Sequence, residues 1–276
     1  MMSTISAGRP RAVPALRRIQ AIAVRHLLVT VRNWQRVFDI AVWPAVDTIL
    51  YGSIATYAQH APAGGSARTA LSVVAGIVMW HLVYQAEIAV ATGFFEESHS
   101  RQLPGLLVTP LRPLEWVLGT ALQGMAKVVL GVTAVAGTAA LLYGYDMFDP
   151  GPGIVPVMGL LLLNGWALAL IVVALVLYFG AGSEGLTWGL LFVILPLSGA
   201  FYPVSALPSA VRPLSAVLPT SYTFAAARDV TAHSASAGPH IAIAALATVA
   251  LVIVSVGFVT ASLRTFQRRG FISRYQ

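Results

Sequence analysis

The sequence predicts an all-α polytopic membrane protein, and three observations carry that expectation. Of the 276 residues, 57% are hydrophobic and 10% charged, whereas a soluble domain of this size carries roughly a quarter charged residues and has too little chain to hide so much apolar surface. No Asp, Glu, Lys or Arg lies between Asp149 and Glu184, between Glu184 and Arg212, or from Ile241 to Ser262. Seven arginines fall between Arg9 and Arg36 and four between Arg264 and Arg274, at the two ends of the apolar region. That placement orients membrane proteins with their basic segments in the cytoplasm. It also argues against nucleic acid as a partner, since the basic charge (pI near 10.1) forms no stripe on a folded surface. With no cysteine, disulfides, thiolate metal sites and a cysteine nucleophile are excluded.

The opening residues Met1–Pro14 are polar and lack the apolar core of a signal peptide. From Ala15 to Phe38 the pattern turns helical: Leu16, Ala23, Leu27, Val31, Trp34 and Phe38 share one face, and Arg18, Arg25, Arg32 and Arg36 the opposite one. This predicts an amphipathic helix lying in the membrane interface, its arginines toward anionic lipid headgroups; a solvated soluble helix is the competing reading. Residues 1–36 are thus expected to be a cytoplasmic N-terminus with an interfacial helix, 37–264 a six-span transmembrane domain and 265–276 a basic cytoplasmic tail. Spans are expected at Val37–Ala58, Thr69–Phe94, Leu114–Tyr143, Ile154–Tyr178, Leu186–Tyr202 and Ile241–Arg264, most of them near or above the roughly 20 apolar residues that cross the hydrocarbon. With both termini inside, thirteen basic residues are cytoplasmic and three, Arg68, Arg212 and Arg228, lie outside. This asymmetry supports an N-in/C-in protein of the inner (plasma) membrane.

Two connections stand out. Between spans five and six, Pro203–Pro208 and Leu214–Pro219 are apolar and broken by prolines. Non-helical backbone at membrane depth survives only where protein or a water-lined cavity shields it, so re-entrant helices are expected there, with an amphipathic outer-surface helix as the alternative. Between spans two and three, the loop from Glu96 to Pro113 is polar at its start and apolar from Leu103 to Leu111. An apolar segment on the water side suggests a docking surface, unless it simply lies against the headgroups.

Enzyme motifs fail on inspection. Gly180, Gly182 and Gly185 match G-x-G-x-x-G, but the apolar run before them is too long for a strand and the next acid is Asp229. A P-loop needs Gly-Lys-Ser/Thr to hold phosphates, and the sole lysine sits in Gly124-Met125-Ala126-Lys127-Val128. H-E-x-x-H and G-x-S-x-G are absent. The chain is therefore expected to be a non-enzyme that binds no cofactor of its own.

Asp47, His81, Glu87 and Lys127 interrupt the early spans, and ionisable groups at mid-bilayer cost roughly 2.5–3.5 kcal/mol each on insertion scales. Asp47 and Lys127 lie 10 and 13 residues into outward-running spans. They are expected to pair near mid-depth, Lys127 to contact an anionic substrate, or each to face a helix interface or water-filled cavity without contacting substrate. On the substrate reading, Lys127→Met leaves assembly intact and changes transport. Glu87, about two turns from the cytoplasmic end of span two, is expected to reach water. The six tryptophans, Trp34, Trp43, Trp80, Trp116, Trp166 and Trp188, are expected mostly at interfaces or against lipid.

These features together resemble the ABC-2 type permease subunits of ATP-binding-cassette exporters, of the drug-resistance and lipo-oligosaccharide kind. The resemblance covers most of the chain and rests on the basic amphipathic helix, six spans, the loop Glu96-Glu97 to Leu106-Leu107-Val108-Thr109-Pro110-Leu111, and the segment Phe201–Pro208 followed by Leu218-Pro219-Thr220-Ser221-Tyr222. It implies that the loop between spans two and three carries a coupling helix docking on a separate ATPase, with Glu96, Glu97, Arg101, Leu103, Pro104, Leu106, Leu107, Thr109 and Pro110 as coupling residues. The usual Thr-Leu-Glu is replaced here by Gln102-Leu103-Pro104, and proline is tolerated only in a helix's first turn. The resemblance further implies two ATPase copies using ATP and Mg, a second permease copy or a sister permease, and a pathway along spans one, two and five. An amphiphile such as a lipid, glycolipid or hydrophobic drug would leave the cytoplasm or inner leaflet by it. The rival is a stand-alone secondary carrier or channel, which would want matched charges in its two halves.

Overall fold

The computed structural model describes residues 32–60, 66–99, 113–180 and 185–269, together with Gln20, Val24 and Leu28. Among these residues the regular structure is helical: α1 Trp34–His60, α2 Ala67–His99, α3 Pro113–Tyr143, α4 Ile154–Phe179, α5 Leu186–Ser198, a 3-10 turn at Val204–Ala206, α6 Arg212–Val217, α7 Pro219–Thr231 and α8 Ala237–Arg269. Five of them, α1, α2, α3, α4 and α8, are long and apolar enough to cross a membrane. Arg18 and Arg25 lie outside the described residues, Arg32 is exposed, and Arg36 falls in the first turn of α1.

The organising helix is α2. Its apolar stretch is 83% buried, against 17% for α1 and for α8, because α1, α3, α4 and α5 all pack on it. Without a hydrophobic drive between helices in lipid, close backbone approach supplies the attraction, and the glycines mark where it occurs. A Cβ on Gly165 would lie 2.4 Å from the Val83 carbonyl oxygen, and one on Gly76 2.3 Å from that of Ala200. On the other side α4 and α7 pack against α8. Trp80 of α2 stacks on Phe224 of α7, ring centroids 6.4 Å apart, and is 4% exposed. It is therefore a core residue rather than an interfacial anchor, unlike Trp34 and Trp43, which are 72% and 59% exposed.

Three element boundaries differ from the expectation. The second span continues as helix through His99, so the backbone of Glu96 and Glu97 belongs to α2 rather than to a loop; no breaker precedes Pro104. The last helix begins at Ala237 and runs to Arg269. The expected fifth span, Leu186–Tyr202, stops as a helix at Ser198, because Gly199 adopts the left-handed conformation at φ 70° that ends helices. Thirteen residues make about 20 Å of helix, short of the roughly 30 Å hydrocarbon. The Gly199 carbonyl then accepts from the Arg228 guanidinium of α7, a cation at a helix C-terminus where the dipole favours it.

Candidate functional site

The polar residues expected inside the membrane gather on α2 and its neighbours. His81 is fully buried. Its Nδ1–H donates to the Ile77 carbonyl at 2.8 Å, which turns Nε2 toward Asp47 of α1 at 3.6 Å. The Asp47 side chain is 45% exposed. The structure gives Asp47 a partner in His81, and Lys127 is 8% exposed on α3. Lys127 shares a helix face with Gly124 and Gly131, whose closest neighbours are Ala89 and Gln85 of α2.

Glu87 departs most from expectation. It is 0% exposed and neither carboxyl oxygen has a hydrogen-bond partner. It does not reach water, because α2 runs three further turns beyond it and α4 closes on its backbone at Gly165. One turn back, Tyr84 packs between His81 and Trp188 of α5, at ring-centroid distances of 5.6 and 6.0 Å.

Two further polar anchors escaped the sequence reading. Gln85 of α2 donates from Nε2 to the Ile40 carbonyl at 2.9 Å. The reason lies in α1: Pro44 stands four residues after Ile40 and has no N–H to give it, so Gln85 replaces the missing helical donor. Asn164 of α4, fully buried, places Nδ2 within 3.3 Å of Thr223 Oγ1 on α7 and 3.0 Å of Thr248 Oγ1 on α8. It joins three helices at one depth. A lone asparagine in a charge-free run was the available signal, as was the proline within span one for Gln85.

The coupling residues Arg101, Leu103, Pro104, Leu106, Leu107, Thr109 and Pro110 lie outside the described residues, and of Glu96 and Glu97 only the helical backbone is described.

A family model described as ABC-2 family transporter protein matches residues 45–264. No curated protein matches the chain. The matched stretch opens inside α1 and closes inside α8, so it takes in nearly all of the helical bundle just described, and the chain belongs to the ABC-2 family of transporter proteins, as the membrane permease of an ATP-binding-cassette transporter that normally works with an ATPase subunit.

Proposed function

We propose that the chain forms, as a dimer with itself or with a sister permease, the translocation pathway of an exporter driven by two copies of a separate ATPase. The membership in the permease family carries this reading. Large apolar side chains are exposed on α1 (Trp43, Leu50, Ile54) and α5 (Trp188, Phe192, Val193), as they are on α3 and α8 (Leu141, Leu246, Ile253), which leaves these faces for lipid or a second bundle. Among the described residues α2 fills the centre of the bundle, which suits a pathway between two bundles, and the family resemblance puts it along α1, α2 and α5. In this reading α5 makes the sixth crossing, α6 and α7 are re-entrant helices on the outer side, and both termini face the cytoplasm of an inner-membrane protein. The cargo is an amphiphile, a lipid, glycolipid or hydrophobic drug. The loop beyond Glu96 and Glu97 carries the coupling helix, and ATP with Mg is consumed in the partner. ATP-driven closure of the two ATPases rocks the permeases and alternates access.

The test is co-purification in mild detergent, with ATPase assay and intact-complex mass, comparing wild type with Leu106→Asp. A two-plus-two complex from wild type that is lost on placing a charge in the apolar docking segment is the expected result. Wild type that purifies without any nucleotide-binding partner overturns the proposal and leaves a secondary carrier, for which the intramembrane Asp47–His81 contact would be the starting point.

A further inference from the structure

Along α1, Asp39, Trp43, Asp47 and Tyr51 follow one another at four-residue intervals, the spacing that lays side chains in one slowly turning stripe. Acid and aromatic alternate in it. Trp43 is 59% exposed and the Asp47 side chain 45%. The stripe runs beside His81 and Tyr84 of α2, and Tyr84 leads to Trp188 of α5, itself 49% exposed. On the outer side Tyr51 stacks on Phe201 just past α5, ring centroids 4.6 Å apart. A carboxylate turned outward near mid-membrane is costly against lipid, so this face belongs to a shielded or water-lined space.

We infer that the face where α1, α2 and α5 meet binds an amphiphilic organic cation, its charge held by Asp47 and its body by Trp43, Tyr84 and Trp188. Aromatic faces attract cations through their quadrupole, and more strongly when water is excluded. Glu87 adds the second observation: it is a wholly buried carboxyl without a hydrogen-bond partner, one helical turn from Tyr84 on α2. The site thus has an acid behind its aromatic wall as well as one in front. Among the described residues the basic side chain shown against Asp47 is His81, whose Nδ1–H is committed to the Ile77 carbonyl. An anionic lipid would meet the carboxylate of Asp47, of its own sign, here.

The inference rests on the exporter reading for its role in transport, yet binding is tested without it. Purified full-length permease is titrated with tetraphenylphosphonium and with tetraphenylborate, which share size and shape and differ in the sign of charge. Saturable binding of the phosphonium with at least tenfold preference over the borate is expected. Asp47→Asn and Trp188→Ala are each expected to weaken phosphonium binding about tenfold, with Trp188→Phe retaining most of it. Equal binding of the two ions, or phosphonium affinity unchanged in both variants, overturns the inference. Trp188 and Trp43 are surface residues, so their alanine variants serve if Asp47→Asn does not fold as a single species by size exclusion. The co-purification above separates the two readings. Selective phosphonium binding by a chain with no ATPase partner sinks the exporter and keeps the site, whereas an ATPase complex blind to the sign of charge does the reverse.

Discussion

Gly165→Ala lowers the stability of the purified permease by about 3 kcal/mol, the upper part of the range for overpacking a tight contact. The added methyl has nowhere to go: its carbon would sit 2.4 Å from the Val83 carbonyl oxygen, 2.7 Å from the Ala86 Cβ and 3.2 Å from the Glu87 nitrogen. Two of those three atoms are backbone, so relief requires α2 and α4 to separate, and α2 is the helix on which the bundle is wound. At 2–4 °C per kcal/mol the unfolding midpoint in detergent falls by about 6 to 12 °C. Gly159→Ala on the same helix is the matched control, because a Cβ there meets nothing within 4 Å. That change leaves the midpoint unchanged or raises it slightly, as alanine in place of a helical glycine gains about 0.5–1 kcal/mol. Trimming the neighbour distinguishes a side-chain clash from a backbone one. Ala86→Gly added to Gly165→Ala removes the 2.7 Å contact and leaves the 2.4 Å one, so it does not restore stability. Restoration by Ala86→Gly, or equal effects at positions 159 and 165, would refute the close approach of α2 to α4.

What the sequence made legible follows from which signals are one-dimensional. The helices α3 and α4 start within one residue of the places expected and end within one residue of them, because their limits coincide with prolines, glycines and the ends of apolar runs. The end of α5 did not, since hydropathy continues through Ala200, Phe201 and Tyr202 while the helix stops at a left-handed Gly199. Hydropathy measures the solvent of a residue and is blind to its backbone conformation. The buried position of Glu87 escaped for a related reason. Its distance from the span's end was correct for an α2 ending five residues earlier, at Phe94, but the helix runs on to His99 and α4 covers it. Pairing is less legible still. Asp47 meets His81 because of the rotation of α1 against α2, and two residues at matching depth on two helices carry no record of which faces they share. The loop after α2 was read as a docking surface from its apolar run and as a coupling helix by resemblance, and the coupling roles of its seven residues from Arg101 to Pro110 are a proposal.

Gln85→Leu destabilises the bundle by about 1–2 kcal/mol, the cost of leaving a part-buried acceptor without its donor. Leucine nearly matches glutamine in volume, so packing is little disturbed and the loss falls on one hydrogen bond, from Gln85 Nε2 to the Ile40 carbonyl. That carbonyl is orphaned by Pro44, which sits four residues on and supplies no N–H. The same logic specifies a rescue. Pro44→Ala restores the helical N–H to Ile40, so the glutamine becomes redundant and Gln85→Leu costs little in the Pro44→Ala background. A double-mutant cycle on detergent unfolding therefore shows a coupling of about 1–2 kcal/mol between positions 44 and 85, in the range for residues that share one hydrogen-bond network. The two side chains are coupled through a third residue's backbone. If the two costs simply add, the Ile40 carbonyl finds its donor elsewhere, and the role assigned to Gln85 as the tie between α1 and α2 is wrong. If they couple, α1 owes its seat on α2 to a proline that opens its helix and a glutamine that closes it. The tie lies about two turns along α1 from Asp47, which fixes the rotation that turns the Asp39–Trp43–Asp47 stripe toward Tyr84 and Trp188. Phosphonium binding is then expected to weaken in Gln85→Leu and to recover in the double variant, although neither change removes a residue of the binding face.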